Sequence, residues 1–396
     1  MIPVFTEQDD AFVMDRIYLD YAATAPVLPE VLDAMLPFFV SRYGNASGVH
    51  GTGRDARKAV EEARRQTAEF LSAQSREICF TSGGSESDNL AITGAAFALR
   101  ERGNHLITTM IEHPAVLNTC RWLEKQGFRV TYLRPDRFGY ISPDSVREAL
   151  TPDTILVSVM MANNEIGTVE PIAEIGEICR GKGVLFHTDA VQAAGSIRLD
   201  AEALKADMIS LSAHKFHGPK GAGALYIRKG TRLEALIHGG SQERGMRAGT
   251  ENVPGIVGLG KAAEIAGRER EENTARIREL RDRLVKRIMD EIPDAAVNGH
   301  PEHRLANNCH LSFSGVESEA LLLRLDLEGI AASGGSACTS GSTEPSHVLQ
   351  AIGMDEEMAK GSIRLTLGRE TTLEEIEKAS QILPKIVRDL RAMRGL

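Results

Sequence analysis

No run of about 18 consecutive apolar residues occurs in the 396-residue chain, so no membrane-spanning helix is expected. The segment Met1 to Asp15 carries acids and lacks a long apolar core, so a signal peptide is not expected there either. Basic runs are missing and the formal net charge is −9, which argues against nucleic acid as a partner. The five cysteines, Cys79, Cys120, Cys179, Cys309 and Cys338, are odd in number and include no CxxC pair. That excludes a disulfide framework and a zinc finger and makes a reducing cytoplasm the natural setting. No metal-ligand spacing links His217, His238 and His347, which are read as structural, and no metal is expected. Internal repeats and low-complexity tails are also absent.

What is present suits a large domain and a smaller one, since 42% of the residues are hydrophobic. Short β-rich runs alternate with helical patterns up to about residue 260. Strands are expected at Ile78–Thr81, His105–Thr109, Arg129–Leu133, 155–161, 184–188, Met208–Ser212 and 224–228. Helices are expected at 85–100, 114–126, 143–150 and 171–182, three of them opening on proline, which suits a first turn. The alternation predicts an α/β domain with a mainly parallel seven-stranded sheet covered by helices on both faces. A charged helical stretch from Lys261 to about Ile292 leads into an expected smaller α+β C-terminal domain. There strands are expected at 308–313 and 362–367, a helix at 318–328, and a final helix at Thr372, with Glu375 at capping-box spacing. The expected divisions are an N-terminal arm over 1–16, a large domain over 17–260 and a small domain over 261–396.

Cys338 lies in Ala332-Ser333-Gly334-Gly335-Ser336-Ala337-Cys338-Thr339-Ser340-Gly341-Ser342. Glycine and serine on both sides predict a mobile surface loop that buries little. A free cysteine is usually buried, so this one reads either as an incidental loop thiol or as a nucleophile that travels.

Three features say towards what. Lys215, in Ser212-Ala213-His214-Lys215, follows a strand and precedes a Gly-Pro turn. A lysine there is either a solvated loop charge or a Schiff-base nucleophile, whose pKa burial would lower. Asp189 ends another expected core strand, at the edge where parallel sheets bind ligands. It reads as a helix cap or as the acid facing a protonated pyridine nitrogen. Thr81-Ser82-Gly83-Gly84-Ser85-Glu86-Ser87-Asp88-Asn89 follows a strand and opens a helix, a geometry that holds phosphate on backbone N–H groups. No Gly-Lys-Ser/Thr follows, so it is not a P-loop. The three features in this order point together to pyridoxal 5'-phosphate.

With these residues the chain resembles the cysteine desulfurases of the NifS/IscS group, in the class V aminotransferase superfamily of fold type I pyridoxal-phosphate enzymes. The likeness runs from Tyr18-Leu19-Asp20-Tyr21-Ala22-Ala23-Thr24 to Arg364-Leu365-Thr366-Leu367-Gly368-Arg369. It also includes Glu112-His113-Pro114, Asn163-Asn164-Glu165-Ile166-Gly167, Glu243-Arg244-Gly245-Met246-Arg247-Ala248-Gly249-Thr250 and Ser336-Ala337-Cys338-Thr339-Ser340. The resemblance implies that Lys215 links covalently to the cofactor and moves the Cα proton. It implies that Asp189 holds the ring nitrogen protonated and that His113 stacks on the ring. Asn164 and Gln192 would bond the ring hydroxyl. Gly84, Ser85, Ser212 and His214 would hold the phosphate, and Thr250 would reach the phosphate of a neighbouring subunit in a homodimer with shared sites. Arg364 would pair with the substrate α-carboxylate, assisted by Asn45. Without the family, His113 is a helix-start residue and His214 a core histidine, whereas a buried Arg364 demands a carboxylate from protein or ligand.

The implied reaction removes sulfur from L-cysteine, giving L-alanine and a persulfide on Cys338 for delivery to an acceptor such as an iron–sulfur scaffold protein. A free thiol is only a few per cent thiolate near neutrality, so His113 or the substrate amine is expected to help deprotonate Cys338. Gly84-Ser85 stands where Ala-Thr is common, Ala213 where Gly is common, and Asn45-Ala46-Ser47 where Asn-Pro is usual. Gly341 replaces a small side chain in the cysteine loop. The alternatives are a selenocysteine lyase, another class V enzyme, or a catalytically inert scaffold of the same fold.

Overall fold

The computed structural model describes residues 16–334 and 346–395. They fall into two units: residues 24–163 with 168–271, and a smaller one of residues 16–23, 164–167, 272–334 and 346–395.

The short strand β1 (Ile17–Tyr18) belongs to the smaller unit. The larger unit then supplies β2 (Ile78–Thr81), β3 (His105–Thr109), β4 (Arg129–Leu133), β5 (Thr154–Ser158), β6 (Leu185–Asp189), β7 (Met208–Ser212) and β8 (Gly223–Ile227). They form one sheet in the order β2-β8-β7-β6-β5-β3-β4. Only β8 runs antiparallel to its neighbours. Two reversals restore direction, so β2 points the same way as β7, and the carboxyl ends of β2, β6 and β7 share one edge.

Every residue of β3, β5 and β7 is buried, as a sheet covered on both faces requires. Leu90, Ile92 and Ala95 of the helix Gly84–Ala98 join Leu106, Leu156 and Leu225 of the strands in one apolar cluster. Each large side chain buried this way contributes about 1.5–3 kcal/mol. The helix begins hard against β8: a Cβ on Gly223 would lie 2.5 Å from Gly83 Cα, so only glycine permits that approach.

Helix starts follow their sequence signals. Pro114 and Pro143 occupy first-turn positions, capped by His113 and Ser142. Pro171 instead stands at the cap of the helix Ile172–Lys182, one residue earlier than the pattern suggests. The long helix Val253–Glu291 begins well before Lys261, because Asn252 Oδ1 accepts the N–H of Gly255 and starts it there.

In the smaller unit, β9 (Ala296–Val297), β10 (Asn308–Ser312) and β12 (Ser362–Thr366) make an antiparallel sheet of order β12-β10-β9. β11 (Ile330–Ala331) pairs in parallel with β1. Leu284, Leu311, Phe313, Leu321, Ile363 and Leu383 centre its core. Both bonds of the expected capping box form: Thr372 Oγ1 accepts from Glu375 N at 3.2 Å, and Glu375 accepts from Thr372 N at 2.7 Å. Among the described residues, no helix is long and apolar enough to cross a membrane.

Candidate functional site

The shared carboxyl edge of the larger unit collects most of the expected site residues. Asp189 is the last residue of β6 and Ser212 the last of β7. Lys215 closes the single 3₁₀ turn Ala213–Lys215 that follows β7. Gly84 and Ser85 open the helix that follows β2, with the first-turn N–H groups of the helix turned outward.

Gly84 is pressed close to both loops. A Cβ there would meet Val191 Cγ2 at 2.7 Å and Ser212 Cβ at 3.6 Å. The glycine therefore lets the helix start, the β6 loop and the β7 end meet at one place. Its donors are first-turn N–H groups and the Ser85 and Ser212 hydroxyls, a set suited to phosphate. The turn is braced from within: Thr81 Oγ1 lies 2.8 Å from Ser87 Oγ, and Ser82 N donates to Glu86 at 2.9 Å.

His214 adds a neutral donor. Burial and the nearby charges of Lys215 and Lys220 pull it down to about 4. Thr24 Oγ1 lies 3.1 Å from its Nδ1; when that hydroxyl donates, the neutral ring carries its proton on Nε2. The methyl of Ala213 fits because residue 218 is glycine; a Cβ at 218 would lie 2.7 Å from Ala213 Cβ.

Asp189 is 6% exposed, and one oxygen accepts the N–H of Val191 at 2.8 Å. Burial raises its pKa, while His113, the Val191 N–H and Lys215 oppose that rise. A carboxylate so placed favours a cation, which a protonated pyridine nitrogen provides. His113 caps the helix Pro114–Lys125 by accepting the Ala115 N–H on Nδ1 at 3.1 Å, which leaves a proton on Nε2 when the ring is neutral. Gln192 is half-buried just after Asp189. These residues fit pyridoxal phosphate by donor chemistry at one end and buried anion at the other.

Asn45 is exposed, its Oδ1 accepting the N–H of Ser47 at 2.8 Å. Thr250 is exposed as well. It follows a segment held by two ion pairs. Arg64 forks onto Glu243 at 2.7 and 2.8 Å, and Arg247 reaches Glu86 at 2.9 Å. Glu243 also accepts the Phe80 N–H at 3.0 Å, and both Glu243 and Arg244 have left-handed backbones, with φ of 46° and 58°.

Arg364 and Asn164 lie in the smaller unit. Arg364 is 2% exposed; it donates to Asp20 Oδ1 at 2.9 Å and to the Asn164 carbonyl at 2.7 Å. The protein thus supplies a carboxylate that sequence reasoning left open. Ser333 exchanges backbone hydrogen bonds with Arg364 at 2.7 and 3.3 Å. Cys338 and its neighbours lie outside the described residues.

Sequence reasoning also passed over two buried acids beside Asp189. Glu112 is fully buried and accepts Thr109 Oγ1 at 2.8 Å and Met160 N at 2.9 Å through one oxygen. Burial pushes it up to about 8. Asp88 is 1% exposed and is likewise raised, first by burial and then by Asp189. An acid at an inward helical position among Leu90, Ala91 and Ile92 was the available signal for Asp88.

Comparison with known proteins gives one family. The pattern described as Aminotransferase class-V matches residues 17–379. A relative named cysteine desulfurase IscS, from Methanosarcina thermophila, is 54% identical over 380 residues, covering 96% of this chain and 94% of its own. A solved NifS-like protein superimposes with a TM-score of 0.89 at 39% identity, covering 94% of this chain and all of its own. The structure of SspA in complex with cysteine gives a TM-score of 0.80 at 40% identity, over 90% of this chain and all of that one.

Proposed function

The chain belongs to the aminotransferase class-V family, and from that membership we propose how this pyridoxal-phosphate-dependent cysteine desulfurase uses its own residues. The observation that carries the reading is Asp189 at the end of β6 and Lys215 in the turn after the adjacent β7, beside a helix start that Gly84 lets approach closely. When bound, the cofactor supplies an electron sink that weakens the bonds at Cα and Cβ of the substrate. Lys215 anchors it covalently. Gly84, Ser85, Ser212 and His214 hold the phosphate without a compensating cation of their own, and Asp189 keeps the ring nitrogen protonated. His113 stacks on the ring, while Gln192 and Asn164 hydrogen-bond its hydroxyl.

Arg364 receives the α-carboxylate of L-cysteine in the two-pronged geometry that guanidinium favours, with Asn45 assisting. Lys215 takes the Cα proton. The Cys338 thiolate attacks the substrate sulfur; the new S–S bond forms as the Cβ–S bond breaks. Protonation of the remaining carbon skeleton gives L-alanine, and Cys338 carries the persulfide. Atoms balance without an outside oxidant: one cysteine and one thiol give one alanine and one persulfide.

The persulfide passes to an acceptor protein such as an iron–sulfur scaffold in the cytoplasm. The enzyme acts as a homodimer, in which Thr250 of each subunit reaches the phosphate held by the other. The braced segment before Thr250 supports this, because an exposed hydroxyl just after a segment held by two ion pairs is well set for a contact outside its own chain.

The test is incubation with L-cysteine and quantification of alanine and protein persulfide. Cys338→Ala should retain the visible absorption of bound cofactor and lose persulfide. Lys215→Ala should lose both the covalent linkage and turnover. Full persulfide formation by Cys338→Ala would sink the assignment.

A further inference from the structure

Residues 164–167 form a short strip within the smaller unit, and each of its four carbonyls accepts a hydrogen bond there. Arg364 Nη1 donates to Asn164 O at 2.7 Å and Asn308 Nδ2 to Glu165 O at 2.8 Å. Arg304 Nη2 donates to Ile166 O at 3.4 Å and Leu305 N to Gly167 O at 2.8 Å. Gly167 has a left-handed backbone with φ of 77°, and a Cβ there would lie 2.6 Å from Asn308 Cβ. A strip bonded at every carbonyl and pressed this close to its neighbour is held rigidly.

These bonds hold the backbone, whereas the Glu165 side chain reaches elsewhere. It is 1% exposed, and its Oε2 accepts the Ser346 hydroxyl. Ser346 Oγ in turn accepts the Val348 N–H at 3.1 Å and so caps the helix His347–Ala351. Burial raises the Glu165 pKa, and the Ser346 bond, His347 and Arg364 oppose that rise. Ser346 is the first described residue after the cysteine-bearing segment, and Ser333 stands one residue before its other boundary. Ser333 exchanges backbone bonds with Arg364, which bonds the Asn164 carbonyl. The two ends are thus joined through described residues alone: Ser333 to Arg364, Arg364 to Asn164, and Glu165 to Ser346. Cys338 lies between them in the sequence. A chain tethered at both ends samples less space than one tethered at a single end, which raises the effective concentration of any group it carries.

We propose that Glu165 is a positioning residue for Cys338: it clasps Ser346, so that both ends of the cysteine-bearing segment are held to the strip that also bonds Arg364. Glu165 touches neither the substrate nor the reacting sulfur; it acts through Ser346. The statement about Cys338 rests on its reading as the sulfur acceptor, whereas the clasp itself does not.

The experiment compares cofactor-loaded wild type with Glu165→Gln, Glu165→Leu and Ser346→Ala. Cysteine binding is read from the change in the visible spectrum of the cofactor, and persulfide on Cys338 from a single turnover. Glutamine keeps an oxygen for the Ser346 hydroxyl, so Glu165→Gln should form persulfide at close to the wild-type rate. Glu165→Leu should form it about tenfold more slowly. It should still bind cysteine as wild type does, because Arg364 keeps Asp20 and the Asn164 carbonyl. Ser346→Ala should be slowed as well, and the double variant with Glu165→Leu should be slower than the worse single variant by less than additivity requires. Amide hydrogen exchange across His347–Ala351 should be faster in Glu165→Leu and unchanged in Glu165→Gln, a readout that needs no turnover. Wild-type exchange in Glu165→Leu, or Glu165→Gln as slow as Glu165→Leu, overturns the clasp. A wild-type persulfide rate in Glu165→Leu, or cysteine binding lost in step with that rate, overturns the positioning of Cys338. If Glu165→Leu does not fold, a wild-type persulfide rate in Ser346→Ala overturns it instead. Wild type that forms no persulfide on Cys338 sinks the desulfurase reading and the role at Cys338 with it, while the exchange result still decides the clasp.

Discussion

Arg364 and Asp20 stand 344 residues apart in the chain, yet Nη2 of one lies 2.9 Å from Oδ1 of the other. Both belong to the smaller unit, where Asp20 follows β1 and Arg364 is central in β12. The guanidinium is almost fully buried, so its charge is compensated before any substrate arrives. Removing one partner of a buried pair costs more than the pair itself contributes, because the other charge is stranded. Asp20→Ala should lower the unfolding free energy by about 3 kcal/mol in urea titration. It should also raise KM for cysteine more than it lowers kcat, since the lost contact orients a binding group. An unchanged denaturation midpoint would contradict this account of Arg364.

A second ion pair braces the segment before Thr250. Arg64 and Glu243 side chains are 5% and 4% exposed, and the guanidinium lies 4.6 Å from the Phe80 ring centroid. Glu243→Ala leaves Arg64 to the exposed Glu61 at 3.2 Å and also frees the Phe80 N–H, so a loss of about 3 kcal/mol is expected. Arg64→Met with Glu243→Leu removes both charges and should recover much of that loss. Chemical denaturation of the two single variants and the double variant reads the coupling directly, and strict additivity would show that the pair is not one unit.

Much of this architecture was legible in the sequence, and the reasons are local. β2, β3 and β7 appear at the bounds their apolar runs indicated, because a fully buried strand leaves little choice of residue, and the more exposed edge strand β4 keeps its expected bounds as well. Asp189 was visible because a charge ending a buried strand is conspicuous, and Lys215 because it follows such a strand and precedes a Gly-Pro turn. The helices Pro29–Met35, Pro37–Val40 and Gly51–Phe70 were not anticipated. Gly51 and Gly53 blur the start of the third, and the first two are only seven and four residues long. Asp20 and Glu243 were missed for a different reason. Each is defined by a partner distant in sequence, and no periodicity reveals such pairs.

Gly84 is expected to be sensitive even to the smallest side chain. A new Cβ would sit 2.7 Å from Val191 Cγ2, inside van der Waals contact, in the loop that also gives Asp189 its backbone donor. Gly84→Ala should therefore weaken cofactor binding about threefold to tenfold despite the better helix propensity of alanine. Val191→Ala in the same chain removes the obstructing methyl and should restore affinity. Fluorescence titration of cofactor-free protein with pyridoxal phosphate measures both. Equal affinity for Gly84→Ala and wild type would mean that the Val191 loop yields freely.

The buried acid Glu112 makes a prediction about pH. Burial raises it from an ordinary carboxyl value to about 8, with Asp189 and Glu170 adding to the rise and the Met160 N–H and Thr109 hydroxyl opposing it. Between about pH 4.5 and 8 the folded protein thus keeps a proton that the unfolded chain has released. Fewer protons in the unfolded state mean that stability falls as pH rises, by about 1.4 kcal/mol per unit for one such group. The contribution is fully present below the unfolded value and is lost as pH passes through about 8. Glutamine keeps the carbonyl that accepts from Thr109 and Met160 and carries no proton to lose. Glu112→Gln should match wild type near pH 4.5 and become progressively more stable relative to it up to pH 8, with no further divergence above. Urea denaturation of the cofactor-free proteins at each pH checks the slope, and parallel profiles for the two would refute a protonated Glu112.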